Sequence, residues 1–139
     1  MTNCASGVCS DVRLLLDTHA LLWYALDDPR LPATTRRAVV DPDNSVFASA
    51  ASAWEIATKA RLGKLPHGPL ATAFIETVRA HGFRVLPIGA QDAQDAGNLP
   101  GPHGDPFDRM LAAQARRRDL ALVSGDALLD QFGVARLWA

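Results

Sequence analysis

Five acidic residues have types and spacings that could serve one chemistry. Asp105 and Asp108 stand three apart in the stretch HGDPFDR, where a helix is predicted to begin. That spacing places both side chains on one side of the helix. Asp17 and Asp126 each follow a short apolar run, and Glu55 lies within a helical pattern. Carboxylate oxygens are the ligands that Mg²⁺ and Mn²⁺ prefer, so these residues are candidates for a metal site.

Four of the five acids also have a structural explanation. Asp17, Asp105 and Asp126 each precede a predicted helix, and Asp is among the best N-cap residues. Ser52 and Glu55 match the spacing of a capping box. Taken singly, each of these four is at least as well explained by helix capping as by metal binding. The metal hypothesis depends on whether the fold brings the acids together.

The apolar pattern predicts a chain of alternating strands and helices. Short aliphatic runs predict strands at residues 12–16, 45–50, 83–88, 120–125 and 135–138. Helical spacing predicts helices at residues 18–26, 33–41, 51–63, 70–82, 89–99, 106–119 and 126–134. Such alternation is typical of an α/β fold, here a three-layer α/β/α sandwich with a central parallel sheet. Ligands of such sheets bind beyond the carboxyl ends of the strands, where Asp17 and Asp126 stand.

Convergence of several carboxylates has an electrostatic cost. Two like charges about 4 Å apart repel by roughly 4 kcal/mol at an effective dielectric constant of about 20. A cluster of four is therefore tolerated only when carboxyls are protonated or when cations are bound. We predict Mg²⁺, with Mn²⁺ as the alternative, because the sequence shows no His and Cys pattern typical of zinc.

Length and composition indicate one globular domain. The chain has 139 residues, 48% of them hydrophobic, and a net charge of −1, so it has no overall basic character for nucleic acid. No apolar run reaches the roughly 18–20 residues that span a membrane, and the first residues lack a signal-peptide pattern. We therefore predict a cytoplasmic protein. Motifs for a P-loop, a dinucleotide-binding turn and a GxSxG nucleophile elbow are absent from the sequence.

Four stretches in a fixed order carry a family resemblance. They are LLLDTHALLWYAL, SAASAWEIATKARLGKL, HGDPFDRMLAAQA, and LALVSGD with FGV after it. With them the chain resembles PIN-domain ribonuclease toxins of the VapC type, in the subgroup that carries a DPFDR segment. The resemblance covers residues 12–139 as a single PIN-like domain. Residues 1–11, which include Cys4 and Cys9, have no counterpart and are predicted to be a leader, disordered or preceding the true start.

The resemblance implies a PIN fold, magnesium-dependent hydrolysis of RNA and a cognate antitoxin. The apolar helices around Trp23 and Trp54 offer contact surface, so we also expect a homodimer. It assigns catalytic roles to Asp17, Glu55, Asp108 and Asp126, and metal binding to Asp17, Asp108 and Asp126. Three further residues are expected near the site, namely Asp105, Arg109 and Ser124. We interpret Asp105 as the helix cap, Asp108 as the working acid, and Arg109 as the partner of an acid in a salt bridge.

Other side chains have weaker assignments. Lys59, Arg61 and Arg116 are predicted to hold flanking RNA phosphates, although basic clusters on helices are commonly only solvated faces. Trp23 and Trp54 are interpreted as core or interface residues and not as platforms for stacked bases. Two alternatives to a ribonuclease stay open at this point: a metal-dependent phosphatase on an α/β sheet, and a non-catalytic binding module whose acids only cap helices.

Overall fold

The central sheet has five parallel strands. The computed structural model describes residues 12–139, so the predicted leader lies outside the described residues. The strands are β1 (Arg13–Leu16), β2 (Ser45–Ser49), β3 (Arg84–Leu86), β4 (Ala121–Val123) and β5 (Arg136–Leu137). They are ordered β3-β2-β1-β4-β5, and β1 pairs in parallel with both β2 and β4. The short run near the C-terminus is thus the edge strand that its sequence predicted.

Helices cover both faces of the sheet. The α-helices are α1 (Thr18–Ala25), α2 (Ala33–Val40), α3 (Ala50–Arg61), α4 (Phe74–Ala80), α5 (Ala90–Asn98) and α6 (Pro106–Arg118). Two short 3₁₀ helices complete the described elements, at Gly68–Ala71 and Ala127–Phe132. Within residues 12–139, no helix is long and apolar enough to cross a bilayer.

Strand β1 shows why the protein has three layers. Leu14 and Leu16 belong to one buried apolar cluster, whereas Leu15 belongs to a second cluster. All three side chains are fully buried. Because successive side chains of a strand point to opposite faces, a strand that is apolar throughout must be covered on both sides. The predicted α/β/α sandwich is therefore confirmed.

One predicted helix is interrupted. The single helix expected over residues 70–82 is wrong, because the 3₁₀ helix Gly68–Ala71 ends before α4 begins at Phe74. Between them, Thr72 and Ala73 have φ angles of −124° and −134°. Leu70 is buried in the same cluster as Val78, so tertiary packing outweighs local helix propensity here.

Candidate functional site

Asp17 lies at the carboxyl end of the central strand β1. Its backbone N–H donates to the Val123 carbonyl at 3.0 Å, which ties it to β4. Its side chain caps α1, where Oδ1 accepts from the Ala20 N–H at 2.7 Å. The residue is only 8% exposed. Burial raises the pKa of Asp17 to about 6, while hydrogen bonds from Ser124 and Ala20 act in the opposite direction.

Asp126 occupies the matching position after β4. Its backbone N–H donates to the Ser124 hydroxyl at 3.0 Å, and its Oδ1 accepts from the Leu128 N–H at 3.0 Å. Asp126 thus caps the 3₁₀ helix that follows, as its position predicted. Ser124 is fully buried and bonds Asp17 as well, so one hydroxyl links the two acid-bearing loops.

Glu55 approaches the site from helix α3. Its Oε1 accepts from the Thr18 hydroxyl at 2.6 Å, and its Oε2 pairs with Lys59 one turn further along the helix. The residue is 4% exposed. The capping box suggested by Ser52 and Glu55 is not formed, because α3 begins earlier and its N-cap is Ser49. Glu55 is therefore positioned by its contacts with Thr18 and Lys59 and does not cap a helix.

Asp105 and Asp108 divide their roles at the start of α6. Asp105 is the N-cap, and its Oδ1 accepts from the backbone N–H groups of Phe107 at 2.9 Å and Asp108 at 3.2 Å. The Asp108 side chain instead hydrogen-bonds to His103, and the distance between Asp108 Oδ2 and His103 Nε2 is 3.0 Å. Burial raises the pKa of Asp108, and the charges of Asp105 and Glu55 add to that rise.

The charges of neighbouring acids affect one another's pKa values. The charge of Asp108 contributes to the raised pKa of Asp17, and the charge of Glu55 contributes to that of Asp108. Ligand atoms of His103, Asp108 and Asp126 all lie within 4.8 Å of one another. The donor set fits a divalent cation, because two carboxylates and an imidazole nitrogen offer ligand atoms close enough to share one ion, and a cation would offset the repulsion between the acids.

His103 is the site residue that sequence reasoning missed. The loop before α6 carries it, and its ring stacks on Phe132 with centroids 6.0 Å apart. The only signal in the sequence was its place two residues before the cap Asp105 in HGDPFDR. In a loop, the sequence has no helical or strand periodicity from which the direction of a side chain could be predicted.

Arg109 does not form the salt bridge that we predicted. Among residues 12–139 its contacts are to backbone carbonyls, at Ala96 (3.0 Å), His103 (2.9 Å) and Gly101 (3.4 Å), and also at Leu99. Its guanidinium also lies 5.5 Å from the Phe132 ring centroid. Backbone carbonyls at the end of α5 and in the loop that follows it accept from the guanidinium at several points, so Arg109 binds them and not an acidic side chain. Arg109 thus fixes the loop that carries His103.

The predicted phosphate-binding residues are dispersed. Lys59 is at the site through its ion pair with Glu55, whereas Arg61 is exposed at the last residue of α3. Arg116 lines a separate groove with Asp95 and neighbouring residues of α5. It lies two turns along α6 from Asp108, about 12 Å at a rise of about 1.5 Å per residue. Their contact with RNA stays a prediction.

Neither tryptophan that we interpreted as a core or interface residue is fully buried. Trp54 is 62% exposed, so a core role is wrong, and its ring meets Phe107 edge to face at 4.9 Å. Trp23 is partly buried against the apolar core. It also lines a groove that contains Asp17 and Asp126.

The family follows from this fold and site together with a direct match. The PIN domain model matches residues 14–134, and the chain belongs to the PIN domain family. A segment of 42 residues is 60% identical to ribonuclease VapC16 of Mycobacterium tuberculosis. That segment makes up 27% of this chain and 30% of the relative, so the match spans under a third of the relative's length.

Solved structures share the fold at low identity. A chain in the crystal structure of VapBC2 from Rickettsia felis, bound to a DNA fragment from their promoter, has a TM-score of 0.68 and 12% identity. The match covers 92% of this chain and 100% of that one. VapC20 of Mycobacterium tuberculosis, a toxin that cleaves the sarcin–ricin loop, has a TM-score of 0.56 and 15% identity over 91% and 99% of the two chains.

Proposed function

We propose that this PIN-domain protein is a metal-dependent endoribonuclease and the toxin of a toxin–antitoxin pair. One observation carries the proposal: Asp108 lies close enough to Asp126 to share a metal ion with it, and its charge couples to those of Asp17 and Glu55. Similarity to VapC16 and the fold shared with VapC20 support the same activity. The substrate is RNA, and the reaction is hydrolysis of a phosphodiester bond in the cytoplasm.

Asp17, Asp108 and Asp126 would hold the divalent cation, Mg²⁺ or Mn²⁺. His103 lies close enough to the last two to add a nitrogen ligand. When bound, the cation polarises the scissile phosphate and makes a water molecule more acidic. Burial raises the pKa of Asp17 to about 6, so its carboxylate is mostly ionised above neutral pH and attracts a cation.

Glu55 is the candidate for orienting the attacking water. The Thr18 hydroxyl and Lys59 each bind one of its carboxylate oxygens, which fixes the plane of the carboxylate. A carboxylate held in this way can accept a proton from water as the bond to phosphorus forms. Lys59 in turn places a positive charge next to the site, where an RNA phosphate would be attracted.

The proposed partners are RNA, a cognate antitoxin and a second copy of the chain. Structures of VapBC complexes contain chains with the same fold, which supports an antitoxin partner, and we expect a segment of that antitoxin to cover the site. We expect a homodimer, which sedimentation equilibrium would test. A species that stays monomeric at high protein concentration would contradict the dimer without affecting the nuclease.

Cleavage of single-stranded RNA by the purified protein is the direct test. We expect cleavage with Mg²⁺ or Mn²⁺ and none in excess EDTA. Asp108→Asn should nearly abolish cleavage, whereas the matched variant Asp105→Asn should retain more, because Asn is also a good N-cap. The reverse order would show that the working acid is Asp105. Undiminished cleavage in EDTA would refute the metal mechanism.

Two further assays separate the alternatives. A phosphatase would release phosphate from a chromogenic phosphomonoester, which we expect this protein to leave intact. A non-catalytic module would show no heat of Mn²⁺ binding by calorimetry, whereas we expect binding that Asp17→Asn weakens. Phosphomonoester turnover without RNA cleavage would favour the phosphatase.

A further inference from the structure

The groove that contains Asp17 and Asp126 extends beyond the acidic residues. It encloses about 490 Å³ and is lined by Asp17, His19, Trp23, Arg30, Gly125, Asp126 and Trp138. Its volume falls within the roughly 300–1,000 Å³ of sites for small organic ligands. Two of the proposed metal-binding acids and two tryptophans share its lining. A molecule bound to the acids would therefore lie beside the indole rings.

The aromatic groups form a pair with a cation beside it. The rings of Trp23 and Trp138 have centroids 6.0 Å apart and an interplanar angle of 53°. The Arg30 guanidinium lies 4.8 Å from the Trp23 ring centroid. Arg30 is itself oriented by Asp28, whose carboxylate accepts from Nη2 at 2.8 Å. Both tryptophans are partly exposed and line the groove.

Gly125 sets the position of the second indole. A Cβ atom at this position would lie 2.9 Å from Cε2 of Trp138, which is closer than atoms normally approach. Residue 125 therefore has to be glycine for the indole to lie on the loop. Because Ser124 and Asp126 flank it, the same loop fixes Trp138 and an acid of the site.

We propose that this groove binds a nucleobase of the RNA, on the nucleotide next to the scissile phosphate. The inference rests on the proposed ribonuclease activity and adds a base-binding subsite to it. Indole rings and an arginine plane are the surfaces on which unpaired bases stack. The acids that line the same groove are where the phosphate would be cut. Such a subsite recognises single-stranded RNA, because a base within a duplex cannot enter it.

Nuclear magnetic resonance can test the subsite without RNA cleavage. The chain has three tryptophans and so gives three indole N–H signals, with Trp54 as an internal reference outside the groove. The probes are the four nucleoside 5′-monophosphates with Mg²⁺, and ribose 5-phosphate is the control that lacks a base. We expect nucleotides to shift the signals of Trp23 and Trp138 but not that of Trp54, and ribose 5-phosphate to shift none. If ribose 5-phosphate shifts the Trp23 and Trp138 signals as much as the nucleotides do, or if the nucleotides shift neither signal, the proposal is overturned.

Kinetics of two variants provide the second measurement. Trp138→Leu should raise KM for single-stranded RNA about 5- to 150-fold with little change in kcat, since a stacked base is lost. Trp138→Phe keeps an aromatic ring and should lose much less. Equal KM values for the Leu variant and the unmodified protein would refute the subsite and leave the nuclease intact. A Leu variant that loses only antitoxin binding would refute the subsite as well.

The two proposals can fail separately. If the protein cleaves no RNA yet nucleotides shift the Trp23 and Trp138 signals, the ribonuclease proposal fails and a base-binding groove remains. If the protein cleaves RNA and the signals do not respond, the subsite fails alone. A melting temperature for each Trp138 variant separates lost stacking from lost packing, because Trp138 also contacts the apolar core.

Discussion

Replacing Asp17 with Asn should stabilise the protein while destroying its proposed activity. In the folded protein, burial raises the pKa of Asp17 from 3.8 to about 6. That difference amounts to about 3 kcal/mol of unfavourable free energy when the buried carboxyl is ionised. Asn removes the charge and still caps α1 by accepting from the Ala20 N–H. Its amide group changes the contact with Ser124, at a cost of about 1 kcal/mol.

The net expectation is a gain of about 1–3 kcal/mol at pH 7.5 without metal, or about 3–10 °C in melting temperature for a chain of this size. The pH dependence follows from the direction of the shift. Because the folded pKa lies above the unfolded one, the protonated carboxyl is favoured in the folded state, and that stability is lost as pH rises from about 4 to about 6. The variant should therefore lie up to about 1 kcal/mol below the wild type near pH 4, where only the changed Ser124 contact counts, and exceed it above pH 7.

Thermal unfolding in EDTA, measured from pH 4 to pH 8, tests this expectation. Asp130→Asn is the matched control, because Asp130 is an exposed carboxylate whose pKa Arg136 lowers. It should give no stabilisation at any pH. With excess Mg²⁺ or Mn²⁺, the wild type should gain stability that Asp17→Asn does not. A variant that melts below the wild type at pH 7.5 in EDTA, or a difference that does not change with pH, would refute the reasoning.

Three other substitutions probe the surroundings of the site. Asp92→Ala should cost about 2–4 kcal/mol in urea unfolding at neutral pH, because it leaves Arg118 without its buried partner. Arg118 lowers the pKa of Asp92 to about 2, so this contribution is present at neutral pH and is lost as pH falls towards 2. Arg109→Lys loses the forked contacts to the loop carbonyls and should reduce cleavage about tenfold and weaken Mn²⁺ binding in calorimetry. Gly125→Ala should displace the Trp138 indole and raise KM for RNA, as we expect for Trp138→Leu. The far-ultraviolet circular dichroism of the variant should be unchanged.

The layers of the fold could be predicted because each strand is apolar and short. In β1, Leu14 and Leu15 face opposite clusters, so the run of leucines itself indicates that both faces are covered. The break between Gly68–Ala71 and α4 could not be predicted in the same way. Thr72 and Ala73 carry no glycine or proline signal, and the interruption arises from where Leu70 is buried.

The acids could be placed from sequence because topology fixes them. Asp17 and Asp126 follow neighbouring parallel strands, and their positions at the same edge follow from strand direction alone. His103 and Trp138 could not be placed in this way. One lies in a loop whose path depends on the contacts of Arg109, and the other depends on the absence of a side chain at residue 125.

Helix capping and metal binding are compatible roles for one carboxylate. Asp17, Asp105 and Asp126 each use a single oxygen, Oδ1, to accept from the first turn of a helix. The backbone N–H groups partly compensate the charge of the acid and fix its orientation. Compensation is incomplete at Asp17, since its pKa stays raised to about 6. We infer that capping fixes Asp17 and Asp126 in place for the proposed cation before it binds, whereas Asp105 serves only as a cap.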